Sequence, residues 1–372
     1  MTGIRALVAS LALACIALAP QATPPAAKPA ANAGSKPAPS ATPSVATAGA
    51  TAMQGWYTAE VSAEVAKFPE YVAKAPPFTG GLRITGSNAM APLLAKIASS
   101  YESVYPGLKV TVKQGGSSKG LEALRAGQCD LAAISRSLTP AEIQELEATS
   151  GLKVFEVPVA LDASCVYVNA DNPLPGITRD QLNGIFAITH SLTKDPIIRW
   201  NELDPKSPLG DQFMPIYVLP MSHGTMQRFQ EFAMPGEDLQ TVMRYLEPGP
   251  SSVVNACCAY PNALGISGYA NRQARARMVP VSEGLGKPFV APSFATIRDR
   301  SYPMWRPLNL VVLAKDASAV PALTLDFLKF IWSESGQDSC AQLGLVVADI
   351  DRAPELMKPF VGQKFTGTPK VP

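Results

Sequence analysis

The sequence has almost no excess of charge of either sign, few histidines and no long hydrophobic span. Its 32 basic and 30 acidic residues leave a net charge of +2, so no global field draws the chain toward nucleic acid or an anionic membrane. Its two histidines, and cysteines without zinc-type spacing, do not make a metal site. We therefore expect no nucleic-acid partner, no metal and no cofactor. Any anion site has to be built locally.

Candidate catalytic groups are sparse as well. Asp130, Asp162 and Ser135 could serve as acids or nucleophiles, but the sequence offers them no evident general base, no metal-spaced His and Asp cluster and no Cys–His signature. The sequence therefore predicts a binding protein and not an enzyme.

Residues 1–19 predict an export signal and hence a periplasmic or otherwise exported protein. Arg5 is their only charged residue, and a nearly continuous apolar run follows to Ala19. That run is too short to cross a bilayer, and Pro-rich sequence follows it. Both cleavage near Ala19 and lipid attachment at Cys15 stay open. Residues 20–50 lack aromatic, Leu and Ile side chains, which predicts a disordered tether or a solubilising tail without a role.

Five cysteines follow Cys15 in the sequence. An oxidising compartment permits one or two disulfides among them and leaves at least one thiol unpaired. The spacing does not decide which residues pair. The five are Cys129, Cys165, Cys257, Cys258 and Cys340.

From residue 81 onward, short apolar runs alternate with amphipathic stretches, the pattern of α/β units. Three times a strand ends, Ser or Gly residues turn the chain, and a helix begins; residues 216–232 repeat this event later. Carboxyl ends of parallel strands meet at one sheet edge, where helix N-termini present free amides and a positive dipole end. A single turn of this kind is more often an ordinary helix cap. Their repetition predicts an anion site.

Several motifs, in the same order, resemble the phosphate-binding proteins of ABC-type phosphate importers, which are type II periplasmic solute-binding proteins. The motifs are Gly86-Ser87-Asn88-Ala89-Met90, Gly116-Ser117-Ser118, residues 130–136, residues 158–169, His223-Gly224-Thr225, residues 264–269 and residues 302–307. The resemblance runs from about residue 82 to residue 345 and implies two α/β lobes, with two crossing strands between them and a ligand cleft. We expect the crossings near Leu161 to Asn169 and near Tyr302 to Leu310.

The resemblance implies lobe 1 at 81–163 plus 304–350 and lobe 2 at 164–303. The other expected segments are the export signal at 1–19, the tether at 20–50, an N-terminal extension at 51–80 and a C-terminal tail at 351–372. Carried over position by position, the expected ligand residues are Ser87, Asn88, Ser117, Ser118, Ser135, Arg136, His223, Gly224 and Thr225.

The chain departs from the family pattern at two ligand positions. Ser135 stands where the family has an acid that accepts a proton from phosphate, and Leu219 stands where it has an arginine. Without that acid we expect weaker discrimination against sulfate. Arg136 is predicted to supply the forked donor instead, and its alternative is an ion pair with Glu142. His223 is either a ligand, whose contribution falls as pH rises through its titration, or a polar loop residue.

The sequence thus predicts an exported, monomeric solute-binding protein. It would capture inorganic phosphate or a related oxyanion and deliver it to an ABC transporter permease. The alternative is a family member that has lost transport and acts as a surface or matrix interaction protein.

Overall fold

The computed structural model describes residues 56–361, except residues 76, 194, 242 and 243. The predicted export signal and tether, and part of the predicted tail, lie outside the described residues. Among the helices of the described part, none is both long enough and apolar enough to cross a membrane.

Twelve strands can be assigned within the described residues. They are β1 (Gly80–Gly86), β2 (Leu108–Gln114), β3 (Leu131–Ile134), β4 (Lys153–Asn169), β5 (Ile177–Thr178), β6 (Ile216–Val218), β7 (Arg244–Leu246), β8 (Leu264–Gly268), β9 (Ala276–Met278), β10 (Val281–Ser282), β11 (Trp305–Ala314) and β12 (Val346–Val347).

Twelve α-helices accompany them in the same part of the chain. They are α1 (Ala59–Val65), α2 (Ala91–Val104), α3 (Ser117–Arg125), α4 (Pro140–Ser150), α5 (Arg179–Phe186), α6 (Trp200–Leu203), α7 (Gly224–Ala233), α8 (Pro250–Ala259), α9 (Phe294–Arg298), α10 (Ala322–Ile331), α11 (Glu334–Gln342) and α12 (Lys358–Val361).

The main sheet runs in the order β2-β1-β3-β11-β4-β8-β6-β7, and β9 and β12 also pair with β4. β1 is parallel to both β2 and β3, and β6 is parallel to both β7 and β8. Each parallel set therefore brings its carboxyl ends, and the turns that follow them, to a common edge. This arrangement is the mixed α/β, two-lobed fold that the sequence predicts.

Strands β4 and β11 carry the chain between the two halves. They are antiparallel, from Trp305 opposite Ala163 to Ala314 opposite Lys153, and the last residues of β4 pair with β8. One large hydrophobic core takes its side chains from residues 61–160 and 308–360, and a second takes them from residues 161–304 together with Val346. A smaller third cluster includes Leu121, Ile134 and Val311. The two strands thus pass from one core to the other in the two regions where the crossings are expected.

Local signals explain most of the helix boundaries. Thr139 accepts from the amide of Glu142 in a capping box, and Gly151, whose φ is 67°, follows the last residue of α4.

The sequence pattern of residues 197–202 suggests a strand and a turn, but helix α6 begins at Trp200 instead. The Glu202 carboxylate accepts from the amides of Ile198 and Arg199 at 2.8 and 2.9 Å, which caps the helix.

The disulfides that the sequence permits do not form among the described residues. Cys129, Cys165, Cys257, Cys258 and Cys340 are all free thiols, and Cys258 alone among them is not buried. Burial raises the pKa of Cys257 to about 12, so this thiol stays protonated and unreactive. The cysteines act as small core residues.

The N-terminal extension is tied to the first core by a buried carboxylate. Asp326, on α10, is 2% exposed and accepts from the hydroxyls of Tyr71, Tyr101 and Tyr105. Burial, followed by the hydrogen bond to Asp326, raises the pKa of both Tyr71 and Tyr101. These tyrosines therefore remain protonated donors, and the cluster joins the extension to α2 and α10.

We predict that Tyr101→Phe lowers the free energy of unfolding by about 1.5–3 kcal/mol, because a buried hydrogen bond to a carboxylate is lost. The 2.8 Å bond from the Tyr101 hydroxyl to Asp326 has no solvent to replace it. Urea denaturation measures the change. Tyr260→Phe is the control, since Tyr260 is 52% exposed, and its effect should stay within about 0.5 kcal/mol. Equal effects of the two substitutions would contradict the prediction.

Candidate functional site

The three turns of the first lobe converge as expected. The amide of Gly116, before α3, donates to the carbonyl of Gly86 at 3.0 Å. The amide of Ser135, after β3, donates to Oγ of Ser117 at 3.3 Å. The carboxyl ends of β1, β2 and β3 therefore meet around the first turn of α3, whose free amides and dipole favour an anion.

The second lobe contributes the start of α7 to the same place. A Cβ built on Gly224 would lie 1.9 Å from Oγ of Ser135 and 2.9 Å from Nη1 of Arg306. A Cβ on Gly116 would lie 3.9 Å from the carbonyl oxygen of Ser222. The turns of the two lobes are in contact, so the cleft is closed. Only glycine fits at position 224 in this closed form.

A buried ion pair lies at the crossing of the two lobes. Arg306 of β11 and Asp162 of β4 are register partners and are 1% and 4% exposed. Nε and Nη2 of Arg306 both donate to Oδ2 of Asp162, at 3.2 and 2.6 Å. Nη2 also donates to Oγ1 of Thr225, in the first turn of α7, at 2.9 Å. The ion pair thus connects both crossing strands to the second lobe.

Three buried polar atoms at this point have no hydrogen-bond partner among the described residues. They are Oγ of Ser135, Nη1 of Arg306 and Oδ1 of Asp162. Buried polar atoms are normally paired, because an unpaired one costs about 1–3 kcal/mol. The atoms comprise a hydroxyl, a guanidinium N–H and a carboxylate oxygen. Together with the helix amides they can hold an oxyanion that carries a proton.

The predicted ligand residues differ in how they are placed. Ser87, Ser117, Ser135, Gly224 and Thr225 are buried, whereas Asn88 and Ser118 are exposed and His223 and Arg136 are intermediate. Oδ1 of Asn88 accepts from the amide of Gly115 at 3.1 Å, which ties the first turn to the second.

Arg136 makes the ion pair that the sequence leaves as its alternative. Nη1 and Nη2 donate to the two carboxylate oxygens of Glu142 at 2.8 and 2.6 Å, and Nη1 also donates to the carbonyl of Ser137 at 3.0 Å. The hydrogen bonds from Arg136 lower the pKa of Glu142 to about 2 despite partial burial. The forked face of this guanidinium is therefore occupied by protein. Its role as a ligand stays a prediction.

The sequence reasoning missed Arg306 as a functional residue and did not assign Asp162 to binding. A signal for both exists, because Arg306 is the one charged residue of β11 and Asp162 is the one charged residue in the buried second half of β4. A charge at such a position needs a partner, which makes an ion pair or a ligand the expected reason for it.

His223 caps the helix that reaches the site. Its Nδ1 accepts from the amide of Thr225 at 3.3 Å, which leaves the proton of the neutral ring on Nε2. Burial, followed by the charge of Arg306, lowers the pKa of His223 to about 4, against an ordinary value of 6.5. His223 is therefore neutral at physiological pH.

We predict that His223→Asn removes one source of acid destabilisation. Between pH 6.5 and pH 4 the unfolded chain binds a proton at His223 that the folded chain does not, so stability is complete above pH 6.5 and falls as pH decreases. The wild-type free energy of unfolding should fall by about 2–3 kcal/mol more than that of the variant across this window.

Urea denaturation at a series of pH values, in buffers without phosphate, measures this difference. Asn also accepts from helix amides as an N-cap, so the cap is kept. Glu142 and Glu237, both with a pKa of about 2, also contribute to stability. Both proteins lose these contributions equally as the pH falls below 4.5, the ordinary pKa of a glutamate. Parallel stability curves for the two proteins would contradict the prediction.

Known proteins are similar to this chain in sequence. The phosphate-binding protein PstS of Pseudomonas aeruginosa is 29% identical over 279 residues, which cover 75% of this chain and 86% of that protein. The PstS of Staphylococcus epidermidis is 26% identical over 268 residues, which cover 69% and 76% of the two chains.

Solved structures are similar at the level of the fold. A possible phosphate-binding protein of Planctomyces limnophilus superposes with a TM-score of 0.59 at 23% identity, covering 74% of this chain and 95% of that one. A substrate-binding protein of Clostridium perfringens, with bound phosphate, gives a TM-score of 0.57 at 21% identity, covering 73% and 100%. The model of the PBP superfamily domain matches residues 34–335, and with this match over most of its length the chain belongs to the PBP superfamily domain family.

Proposed function

We propose that this protein captures hydrogenphosphate in the cleft between its lobes and presents it to an ABC-type importer. The observation that carries the proposal is the group of three unpartnered atoms on Ser135, Arg306 and Asp162, buried where the two lobes meet. The PstS proteins and the phosphate-bound structure named above support phosphate as the ligand.

The donors in the cleft suit the oxygens of a tetrahedral anion. Nη1 of Arg306 contributes a charged N–H, and Ser135 contributes a hydroxyl. Ser117, whose Oγ accepts from the Ser135 amide, still has its own hydroxyl proton to donate. The first turns of α3 and α7 add backbone amides and dipole ends. Because Arg306 is paired with Asp162, their charges offset each other. The site therefore binds the anion through hydrogen-bond donors in fixed directions more than through net positive charge.

Asp162 supplies the acceptor that the sequence lacks at position 135. Its Oδ2 receives both hydrogen bonds from Arg306, which leaves Oδ1 for the proton of hydrogenphosphate. Sulfate carries no proton at neutral pH, so its oxygens would face the carboxylate without a hydrogen bond. The loss of the family's acid at Ser135 is thereby compensated from β4, and selectivity for phosphate is kept.

Binding by both lobes stabilises the closed form, and an importer can recognise that form. In this function the protein works outside the cytoplasm as a monomer with a transporter permease as partner. Residues 1–19 direct its export, either with cleavage near Ala19 or with lipid attachment at Cys15.

We predict that Asp162→Asn lowers the ratio of phosphate affinity to sulfate affinity by about ten- to a hundredfold. The amide keeps the shape but loses the charge that repels sulfate and accepts the phosphate proton. Isothermal titration of protein that has been unfolded, freed of anions and refolded measures both affinities.

The matched control for this test is Asp130→Asn. Asp130 also pairs with an arginine, Arg83, at 2.8 Å, but it precedes β3 at the opposite edge of the sheet. This substitution should leave the affinity ratio unchanged. If the wild-type protein binds neither anion, the proposal of phosphate capture is wrong. That result would favour the alternative of a surface or matrix interaction protein. If Asp162→Asn keeps the wild-type ratio, phosphate capture stands but the acceptor lies elsewhere.

We also predict that Ser135→Ala weakens phosphate binding by about ten- to a hundredfold, the worth of one buried hydrogen bond to a charged ligand. Ser118→Ala should change the affinity less than twofold, because Ser118 is exposed. The same titration compares the two variants. A larger effect at Ser118 would place the anion outside the buried group of atoms.

A further inference from the structure

Helix α7 and the start of strand β11 are joined by two arginines that reach in opposite directions. Arg306 of β11 donates through Nη2 to Oγ1 of Thr225, in the first turn of α7, at 2.9 Å. One turn later on the same helix, Arg228 donates through Nε and Nη2 to the carbonyls of Trp305 and Pro303, at 3.0 and 2.7 Å. Residues three apart share one face of a helix, so both arginines hold the same face of α7 against the strand. We call Thr225, Arg228, Trp305 and Arg306 the arginine clamp.

The carbonyl of Trp305 lies where no neighbouring strand reaches it. The preceding carbonyl, of Met304, accepts from the amide of Ser164 on β4 at 3.0 Å. Successive carbonyls of a strand point to opposite sides, so the carbonyl of Trp305 points away from β4. Strand β3 lies on that side of β11, but it pairs with β11 only at residues 309–311. Arg228 therefore supplies the donor that a neighbouring strand would otherwise give.

Arg228 binds only protein. Its third nitrogen, Nη1, donates to Glu231 on the same helix at 3.4 Å, so each nitrogen of its guanidinium donates within the chain. By contrast, Nη1 of Arg306 is buried and has no partner among the described residues. The two arginines thus have different tasks, because Arg306 keeps a donor for a ligand and Arg228 holds the segment that carries Arg306.

We propose that Arg228 is a positioning residue for anion capture, which fixes the first turn of α7 and Nη1 of Arg306 relative to each other before the anion arrives. This proposal rests on the proposed function, in which both groups donate to phosphate. Donors that are already in place need no ordering when the ligand binds, so preorganisation raises affinity without a further contact to the ligand. The helix start and Arg306 then meet the first lobe as one unit when the cleft closes.

Arg228→Lys tests the geometry of the clamp, because it keeps the positive charge and removes the fork. A single ammonium on a flexible stem does not hold two carbonyls as a planar guanidinium does. We expect phosphate affinity to fall by about three- to tenfold, since the helix start and Arg306 must then be ordered on binding. Arg228→Met, which also removes the charge, should lower the affinity by the same factor.

The ratio of phosphate affinity to sulfate affinity separates this role from that of the acceptor. Oδ1 of Asp162 belongs to β4, and Arg228 makes no bond to that strand. Affinity for both anions should therefore fall together in Arg228→Lys, and their ratio should stay at the wild-type value. A ratio that falls as in Asp162→Asn would overturn the proposal.

Arg179→Lys is the matched control. Arg179 is partly buried like Arg228, and its Nε donates to the carbonyl of Phe232, in the last turn of α7, at 2.8 Å. Both substitutions should lower the free energy of unfolding in urea, because each weakens a charge-assisted bond to a backbone carbonyl. Only Arg228→Lys should weaken phosphate binding in isothermal titration of refolded, anion-free protein.

Three results of the titration would contradict the proposal. Arg228→Lys could bind phosphate as the wild type does, or Arg179→Lys could lose as much affinity as Arg228→Lys. Weaker binding in Arg228→Met alone would assign the effect to the charge of Arg228 and not to its geometry.

Hydrogen exchange of the anion-free proteins gives a readout that does not need phosphate binding. Arg228→Lys should speed amide exchange in residues 224–229 and 303–308, whereas Arg179→Lys should speed it only at the end of α7. If the wild type binds no phosphate, the proposed function fails, and the exchange still decides whether Arg228 holds the two segments. Wild-type exchange in both segments of Arg228→Lys would overturn the clamp even where phosphate binds.

Discussion

The buried ion pair between Arg306 and Asp162 is the interaction on which the site depends. Taking two charges out of water is expensive, and an apolar pair of similar size would often make a more stable core. The ion pair lies where β4 and β11 pass between the cores. Two of its polar atoms have no partner there, and these atoms explain why a charged pair is retained. One guanidinium nitrogen and one carboxylate oxygen are fixed in place by their partners and have no other bond among the described residues.

In the proposed function, the ion pair also makes anion binding and closure one event. Arg306 and Asp162 lie on the crossing strands, Thr225 bonds to Arg306 from the second lobe, and Ser135 faces Nη1 from the first. An anion that satisfies these atoms therefore contacts parts of the chain that separate when the cleft opens. Closure excludes water, and a low local dielectric strengthens each hydrogen bond to the anion.

The charges around the site divide into two layers. Inside, Arg306 is paired with Asp162 and His223 is neutral. These residues offer hydrogen-bond donors in fixed directions but no net charge that would attract every anion alike. Outside, Arg136 is bound by both carboxylate oxygens of Glu142, so its charge is compensated by the protein. In the proposed function, selectivity is therefore set where solvent is excluded.

The sequence by itself determined the α/β units, the order of the turns and the convergence of three helix starts, because hydrophobic periodicity, caps and parallel pairing are local rules. It suggested Arg136 as the forked donor, since Arg136 directly follows a site turn. Only the tertiary structure brought Arg306 and Asp162, separated by 144 residues, to the same point and turned Arg136 onto Glu142. Such pairings depend on strand register between distant segments, which no local pattern encodes.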